Sequence, residues 1–289
     1  METSELLKKV RHIEIKARGL SRNIFAGQYH SAFKGRGMAF SEVREYQYGD
    51  DMRDIDWNVT ARYNRPYVKI FEEERELTVM LLIDVSESLG FGSSEKIKRD
   101  TVAEIAATLA FSAIQNNDKI GVIFFTDKVE KFIPPKKGRK HILFIIREIL
   151  GFEPESAGTD INLALRYMTN AIKKRCTTFL ISDFIDTGDY KPALRIANRK
   201  HDIVAIQVYD KLSTRLPSVG LMKVKDPESG GEMWIDTSSG NVRNHYAKWW
   251  LDRQAEMMLT FKQSSVDNVS VSTEDDYAKA LLLLFQRRR

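Results

Sequence analysis

The sequence predicts an α/β fold, with a central, mostly parallel, doubly wound sheet and helices on both faces. Two observations predict it. From Leu77 onward, strand-length apolar runs alternate with longer stretches of helical periodicity, the pattern of a parallel sheet built from strand–helix–strand units. Residues 77–85 are nearly continuous in apolar side chains, as strands covered on both faces are, and 119–126 and 177–182 read as further buried strands.

The elements follow in order. Residues 4–20 read as an amphipathic helix, with Leu6, Leu7, Val10, Ile13 and Ile15 roughly on one stripe. Residues 27–40 are rich in Gly and aromatics, residues 41–65 are dense in charge and aromatics, and residues 67–71 alternate like a strand. The expected division is an N-terminal segment, residues 1–75, folded onto a main domain of residues 76–289. Within that domain, residues 77–85 form the first strand. Residues 94–115 form a long helix with Ile97, Val102, Ile105, Ala106 and Leu109 inward. Then come a strand at 119–126, helices at 141–150 and 162–174, a strand at 177–182, a helix at 190–200 and a strand at 202–209. Between Leu221 and Thr237, two short alternating runs flank Asp226-Pro227-Glu228-Ser229-Gly230-Gly231, a hairpin with turn residues at its middle. A helix at 242–263, a strand near Val269 and a C-terminal helix complete the chain.

Composition bounds the function. Of 289 residues, 43% are apolar and 29% charged, ordinary values for a globular protein. The longest apolar stretches, 77–85 and 280–285, fall short of the ~18 residues of a membrane span, and residues 1–22 lack a signal-peptide apolar core. The expected location is the cytoplasm. Cys176 is the only cysteine, which excludes an intramolecular disulfide and a cysteine metal site. The net charge is +5 (45 basic minus 40 acidic), with basic residues thickening in 1–40, 128–140, 173–175 and 287–289.

In an open α/β sheet, ligands bind outside the carboxyl ends of strands, near a point where the strand order reverses. Just past the first apolar strand stand Asp84, Ser86 and Ser88. Before a later helix stands Gly158-Thr159-Asp160, and past the third strand stands Asp183 in Ile181-Ser182-Asp183-Phe184. With Thr159 taken from its loop, the set is five oxygen-bearing side chains, two of them carboxylates. Hard oxygen ligands of low total charge suit Mg²⁺ or Mn²⁺. The plain structural alternative is a strand-end Asp84, serines that turn and cap the next helix, and Asp183 in a turn.

Asp84, Ser86, Ser88, Thr159 and Asp183 resemble, in order and placement, the metal-ion-dependent adhesion site of von Willebrand factor A domains. The resemblance implies Ser86 and Ser88 as direct ligands, Asp84 and Asp183 as carboxylates acting partly through water, and Thr159 as a switchable fifth group. It also implies a partner carboxylate completing the shell. Phe184 follows Asp183 where many members have glycine. Upstream, Phe33-Lys34-Gly35-Arg36-Gly37 is followed by Phe40-Ser41-Glu42-Val43-Arg44-Glu45-Tyr46, then by Gly49-Asp50-Asp51-Met52-Arg53-Asp54-Ile55-Asp56-Trp57 and Thr60-Ala61-Arg62. These motifs resemble the family catalogued as domain of unknown function 58, von Willebrand factor A-like proteins often encoded beside MoxR-type AAA+ ATPases. That implies an adaptor or partner of such an ATPase, in protein-complex assembly or stress handling, rather than an enzyme.

Without the resemblance, residues 42–62 admit two readings. One is a brace of Arg–Asp pairs and a buried Trp57 that fastens the segment to the sheet domain. The other is a recognition surface of Arg, Tyr and Trp. A nuclease-like cluster of Asp50, Asp51, Asp54 and Asp56 is a further alternative. No Gly-x-x-x-x-Gly-Lys-Ser/Thr occurs, and the stretch Gly90-Phe91-Gly92-Ser93-Ser94-Glu95-Lys96 lacks the second glycine before its lysine, so no P-loop is expected. His12, His30, His141, His201 and His245 show no ligand spacing. No Gly-x-Ser-x-Gly elbow surrounds Ser86 or Ser88. Mg²⁺-dependent phosphoryl transfer through Asp84 would need an acid two residues on, where Ser86 stands. Nucleic-acid binding through the basic N-terminal region is the remaining alternative, and it predicts steep salt dependence.

Overall fold

The computed structural model describes residues 3–21, 39–72, 77–90, 97–225 and 231–288. Most of the Gly-rich stretch at 27–40, the segment 91–96 and the hairpin turn at 226–230 lie outside them. The chain divides into two compact units, residues 1–32 with 77–289, and residues 33–76. The N-terminal helix thus belongs with the sheet, whereas a boundary at residue 76 alone would place it with the upstream motif.

In chain order the helices are α1 (Thr3–Leu20), α2 (Trp57–Tyr63), α3 (Lys98–Gln115), α4 (Arg139–Gly151), α5 (Ile161–Ala171), α6 (Lys191–Lys200), α7 (Gly240–Gln263) and α8 (Tyr277–Arg287). The strands are β1 (Ala39–Glu45), β2 (Tyr67–Glu72), β3 (Thr78–Asp84), β4 (Lys119–Phe125), β5 (Val129–Lys136), β6 (Thr177–Ser182), β7 (Asp202–Tyr209), β8 (Leu221–Lys225), β9 (Glu232–Asp236) and β10 (Asp267–Ser272). Six strands form one sheet in the order β10-β7-β6-β3-β4-β5. All neighbours are parallel except β4 and β5. The expected hairpin is present as the antiparallel pair β8–β9, with Leu221 opposite Asp236.

The central strands are apolar because both faces are covered. Met80 and Leu82 join Ile123, Phe125, Leu180, Leu165 of α5, Leu194 of α6 and Phe261 of α7 in one cluster. Strand alternation turns Val79, Leu81 and Ile83 to the opposite face, and all three are fully buried. Helix α3 packs against β4 and β7, and α1 packs on α3 and α4. Each fully buried side chain of this size contributes roughly 1.5–3 kcal/mol, so the two-faced sheet dominates the stability.

Three details differ from the sequence reading. On α1 the buried apolar positions are Val10, Ile13 and Ala17, while Leu7 and Ile15 are exposed, because the contact with α3 and α4 covers a narrower arc than the apolar stripe. Arg288, in the basic C-terminal run, is nearly buried and pairs with Asp202 at 2.6 Å and Asp267 at 2.8 Å. Strand β5 was not expected: Pro134 and Pro135 lie inside it, and proline is tolerated only where a strand has a free edge. Here β5 is that edge.

Strand β5 lies so close to β4 that a Cβ on Gly121 would stand 2.9 Å from Ile133 O, Pro135 N and Met80 Sδ. Two of these atoms are backbone. Gly121→Ala is therefore expected to destabilise the protein by about 1–3 kcal/mol, read as a lower denaturation midpoint in urea. An unchanged midpoint would mean that β5 can move away without cost.

Candidate functional site

The strand order reverses at β3, whose chain successor β4 lies on one side and whose other neighbour is β6. The crevice at the carboxyl ends of β3 and β6 is thus the expected ligand position of an open α/β sheet. Asp84 is the last residue of β3, Ser182 the last of β6, and Asp183 follows directly.

Backbone bonds bring the three site loops together. Val85 N donates to Phe125 O (2.9 Å), Glu87 N to Ala157 O (3.3 Å) and Asp160 N to Thr126 O (2.9 Å). These hold the serine turn and the Thr159 loop at the end of β4. Asp160 caps α5 by accepting from Leu163 N at 2.8 Å. Asp186 clips the third loop to the same helix, accepting from Ile161 N at 2.9 Å and from Gly188 N at 2.7 Å.

Side chains from all three loops meet at Asp84. Its Oδ1 accepts from Ser86 N at 3.0 Å, and its Oδ2 accepts from the Ser182 hydroxyl at 2.6 Å and the Thr159 hydroxyl at 3.5 Å. The Ser86 and Ser88 hydroxyl oxygens lie 3.1 Å apart. Asp183 Oδ1 accepts from Ile185 N at 3.1 Å, and its Oδ2 accepts from the Lys98 ammonium at 2.9 Å. Asp84, Ser86 and Asp183 are buried, whereas Ser88 and Thr159 are half-buried. Burial, and next the charge of Asp183, push the Asp84 carboxyl up to about 6, against the opposing hydrogen bonds of Ser182 and Ser86.

The donor set fits a small hard cation. Among the described residues no group of three or more His, Cys, Asp or Glu could hold a metal, so a cation here needs the hydroxyls. An octahedral Mg²⁺ with ligands at about 2.0–2.1 Å sets adjacent ligand oxygens about 2.9 Å apart, close to the 3.1 Å between Ser86 and Ser88. By donating to Asp84, the Thr159 hydroxyl keeps its lone pairs available to a ligand. Asp183 is already engaged by Lys98.

Two residues at the site were missed from sequence. Ser182 links Asp84 to the third loop, since its oxygen also accepts from Phe184 N at 2.9 Å. Its signal was a polar residue directly after the apolar run Phe179-Leu180-Ile181. Lys98 gave none. Phe184 adopts a left-handed conformation, φ 59°, which is the conformation glycine would enter freely. Beside it a cleft of about 290 Å³ is lined by residues including Asp186, Tyr190, Lys191, Arg253 and Glu256.

Elsewhere, polar groups of interest have structural partners. Cys176 lies 3.2 Å from His201 Nδ1. Burial pushes its thiol up to about 11 and the imidazole down to about 4, so both sit as neutral core residues. In the unit of residues 33–76, Arg44 forks onto Asp50 at 2.7 and 2.8 Å. Asp51 accepts from Arg53 N, and Asp56 caps α2 through Asn58 N and Val59 N. Asp50, Asp51 and Asp56 are thus spent on turns and caps, and among the described residues they and Asp54 form no metal-holding group. The Arg–Asp pair braces this unit internally, and Trp57 is 69% exposed.

The chain belongs to the family described as "Protein of unknown function DUF58", whose match spans residues 42–256. The uncharacterized protein Rv1480 of Mycobacterium tuberculosis is 28% identical over 293 residues, covering all of this chain and 92% of that protein. Among solved structures, an aerotolerance-related membrane protein from Bacteroides fragilis aligns with TM-score 0.50 and 14% identity, over 73% of this chain and 98% of that one. The protein BatB from Bacteroides thetaiotaomicron aligns with TM-score 0.48 and 15% identity over the same shares. The Bacteroides fragilis likeness is one of fold. Among the described residues, no helix is long and apolar enough to cross a membrane.

Proposed function

We propose that this chain is a divalent-cation-dependent protein-binding module of von Willebrand factor A type. In this reading Asp84, Ser86, Ser88, Thr159 and Asp183 hold Mg²⁺ or Mn²⁺. The partner is a cytoplasmic MoxR-type AAA+ ATPase or its client, and the chain itself catalyses nothing. The observation that carries the reading is the convergence of the Asp84 carboxylate with the Ser86, Thr159 and Ser182 groups at the β3–β6 switch point.

A bound dication would supply an electrophilic coordination position. The rest falls to the protein. The buried carboxylates offset the cation's charge, the hydroxyls add oxygens without charge, and Asp84 orients the Thr159 hydroxyl. Ser88 and Thr159, half-buried, mark the side open to a partner carboxylate. Phosphoryl transfer is less well supported, because Ser86 cannot act as the acid that protonates a leaving group. A basic nucleic-acid surface is also less well supported. On α1, Lys9 pairs with Asp100 at 3.3 Å and Lys16 with Glu104 at 2.6 Å.

The test is capture from source-cell lysate with wild type and Asp84→Ala as baits, each in Mg²⁺ and in EDTA. A protein retained only by wild type in Mg²⁺ is the expected result, with at least a tenfold drop in the other three conditions. Equal retention in all four would overturn the metal-bridged mechanism and turn attention to the exposed Tyr48, Trp57 and Tyr63.

A further inference from the structure

Lys98 and Asp183 form an ion pair that the metal-site reading does not require. Their side chains are 4% and 3% exposed, and the ammonium lies 2.9 Å from Asp183 Oδ2. A lysine so deeply buried is rare unless paired. It also opens the first turn of α3, where the helix dipole disfavours a cation. Both costs need a local source of negative charge, and the Asp84–Asp183 pair provides it. Lys9 and Lys16 of α1 also pair with α3, at Asp100 and Glu104, away from the site.

We propose that Lys98 is a tethered counter-cation that competes with the divalent ion for Asp183, so that metal binding requires the ammonium to give up that carboxylate oxygen. This rests on the metal-site reading above. Without metal, the described residues of the site set the buried Asp84 and Asp183 carboxylates against the Lys98 ammonium, and Lys98 keeps it folded. A divalent ion brings twice the charge of the lysine and several oxygen ligands, so it can displace the ammonium. A monovalent ion lacks that advantage. Lys98 thus sets a threshold in metal concentration, below which the adhesion surface is not assembled.

The test uses the purified full chain and Mn²⁺ as probe, with free Mn²⁺ read by electron paramagnetic resonance. Lys98→Met is expected to bind Mn²⁺ at least tenfold more tightly than wild type. Lys98→Arg, which retains the charge, is expected to stay within about threefold. Lys98→Met should also melt earlier in EDTA, with a larger Mg²⁺-induced rise in Tm than wild type. If Lys98→Met does not fold, the wild type carries the test through the ¹⁵Nζ resonance of Lys98, which should shift as Mg²⁺ saturates the site. An unmoved resonance, or Lys98→Met affinity equal to or weaker than wild type, overturns the competition. Asp84→Ala separates the two readings. Mn²⁺ binding lost in Asp84→Ala but unchanged in Lys98→Met defeats the Lys98 proposal alone. No Mn²⁺ binding by any folded form defeats the metal site and this inference together.

Discussion

Asp84→Asn is expected to leave the metal-free protein more stable than wild type at neutral pH while weakening Mg²⁺ binding at least tenfold. The Asp84 carboxyl is raised from 3.8 to about 6, first by burial and then by the charge of Asp183. A carboxyl whose folded value lies above its unfolded value binds its proton more tightly in the native state, so stability is lost as pH rises between the two values. Wild type in EDTA should therefore lose stability from about pH 4 to about pH 6 relative to the asparagine variant. Asparagine retains an oxygen to accept from Ser86 N, but it carries no charge for a cation. The Ser182 hydroxyl, 2.6 Å from Asp84 Oδ2, must then turn to accept from the new amide, which offsets part of the gain. Denaturation midpoints measured from pH 4 to pH 8 should converge at the acid end, separate between about pH 4 and pH 6, and stay apart by a constant margin above that. Mg²⁺ should raise the wild-type midpoint alone. Parallel curves would show that the buried charge of Asp84 costs the native state nothing. A stability gain on removing a buried charge is the usual trade-off where a site is built for binding rather than for the fold.

The legible part of this protein follows from local patterns. Strands β3, β6 and β7 are buried on both faces, so their apolar runs read directly from sequence. Helix α3 read well for the same reason, since Val102, Ile105, Ala106 and Leu109 are all buried, although Ile97 is a half-buried cap residue ahead of it. Strand β5 was hidden because an edge position forgives Pro134 and Pro135, and edge position is a property of the sheet rather than of the segment. At the site, Asp84 and Asp183 were legible because strand ends in a parallel sheet face one crevice. The Thr159 loop could be placed because Asp160 announces a helix start. Ser182 and Lys98 were not legible. Ser182 belongs to the strand by position and to the site by its hydroxyl. The Lys98–Asp183 contact joins residues 85 positions apart, and no periodicity encodes it. The resemblance of the upstream motif led to the family but not to the role of Trp57, because a tryptophan among charges is equally suited to burial and to exposure.

Phe184 offers the second large effect, on stability. It follows Asp183 in a left-handed conformation, yet its ring is 3% exposed. The ring meets Phe261 edge-on at 5.0 Å and lies 6.4 Å from Tyr190. Two opposing terms decide why a phenylalanine stands there. Left-handed backbone costs a residue with a Cβ about 1–2 kcal/mol, whereas deleting a buried phenylalanine ring costs about 3–5 kcal/mol. Packing wins, and the ring closes the cluster between β6, α6 and α7. Phe184→Ala is therefore expected to lose about 3–5 kcal/mol, since alanine keeps the backbone cost and forfeits the ring. Phe184→Gly should lose less, by roughly 1 kcal/mol, because glycine enters this conformation freely. The two variants, measured side by side in urea, separate strain from packing. If glycine proves no more stable than alanine, the left-handed conformation is not a cost that the aromatic cluster offsets. Metal affinity should fall less in either variant than in Asp84→Asn. The Asp183 carboxylate accepts from Ile185 N and Lys98, and its carbonyl from Gln207 Nε2, and none of these bonds passes through the ring.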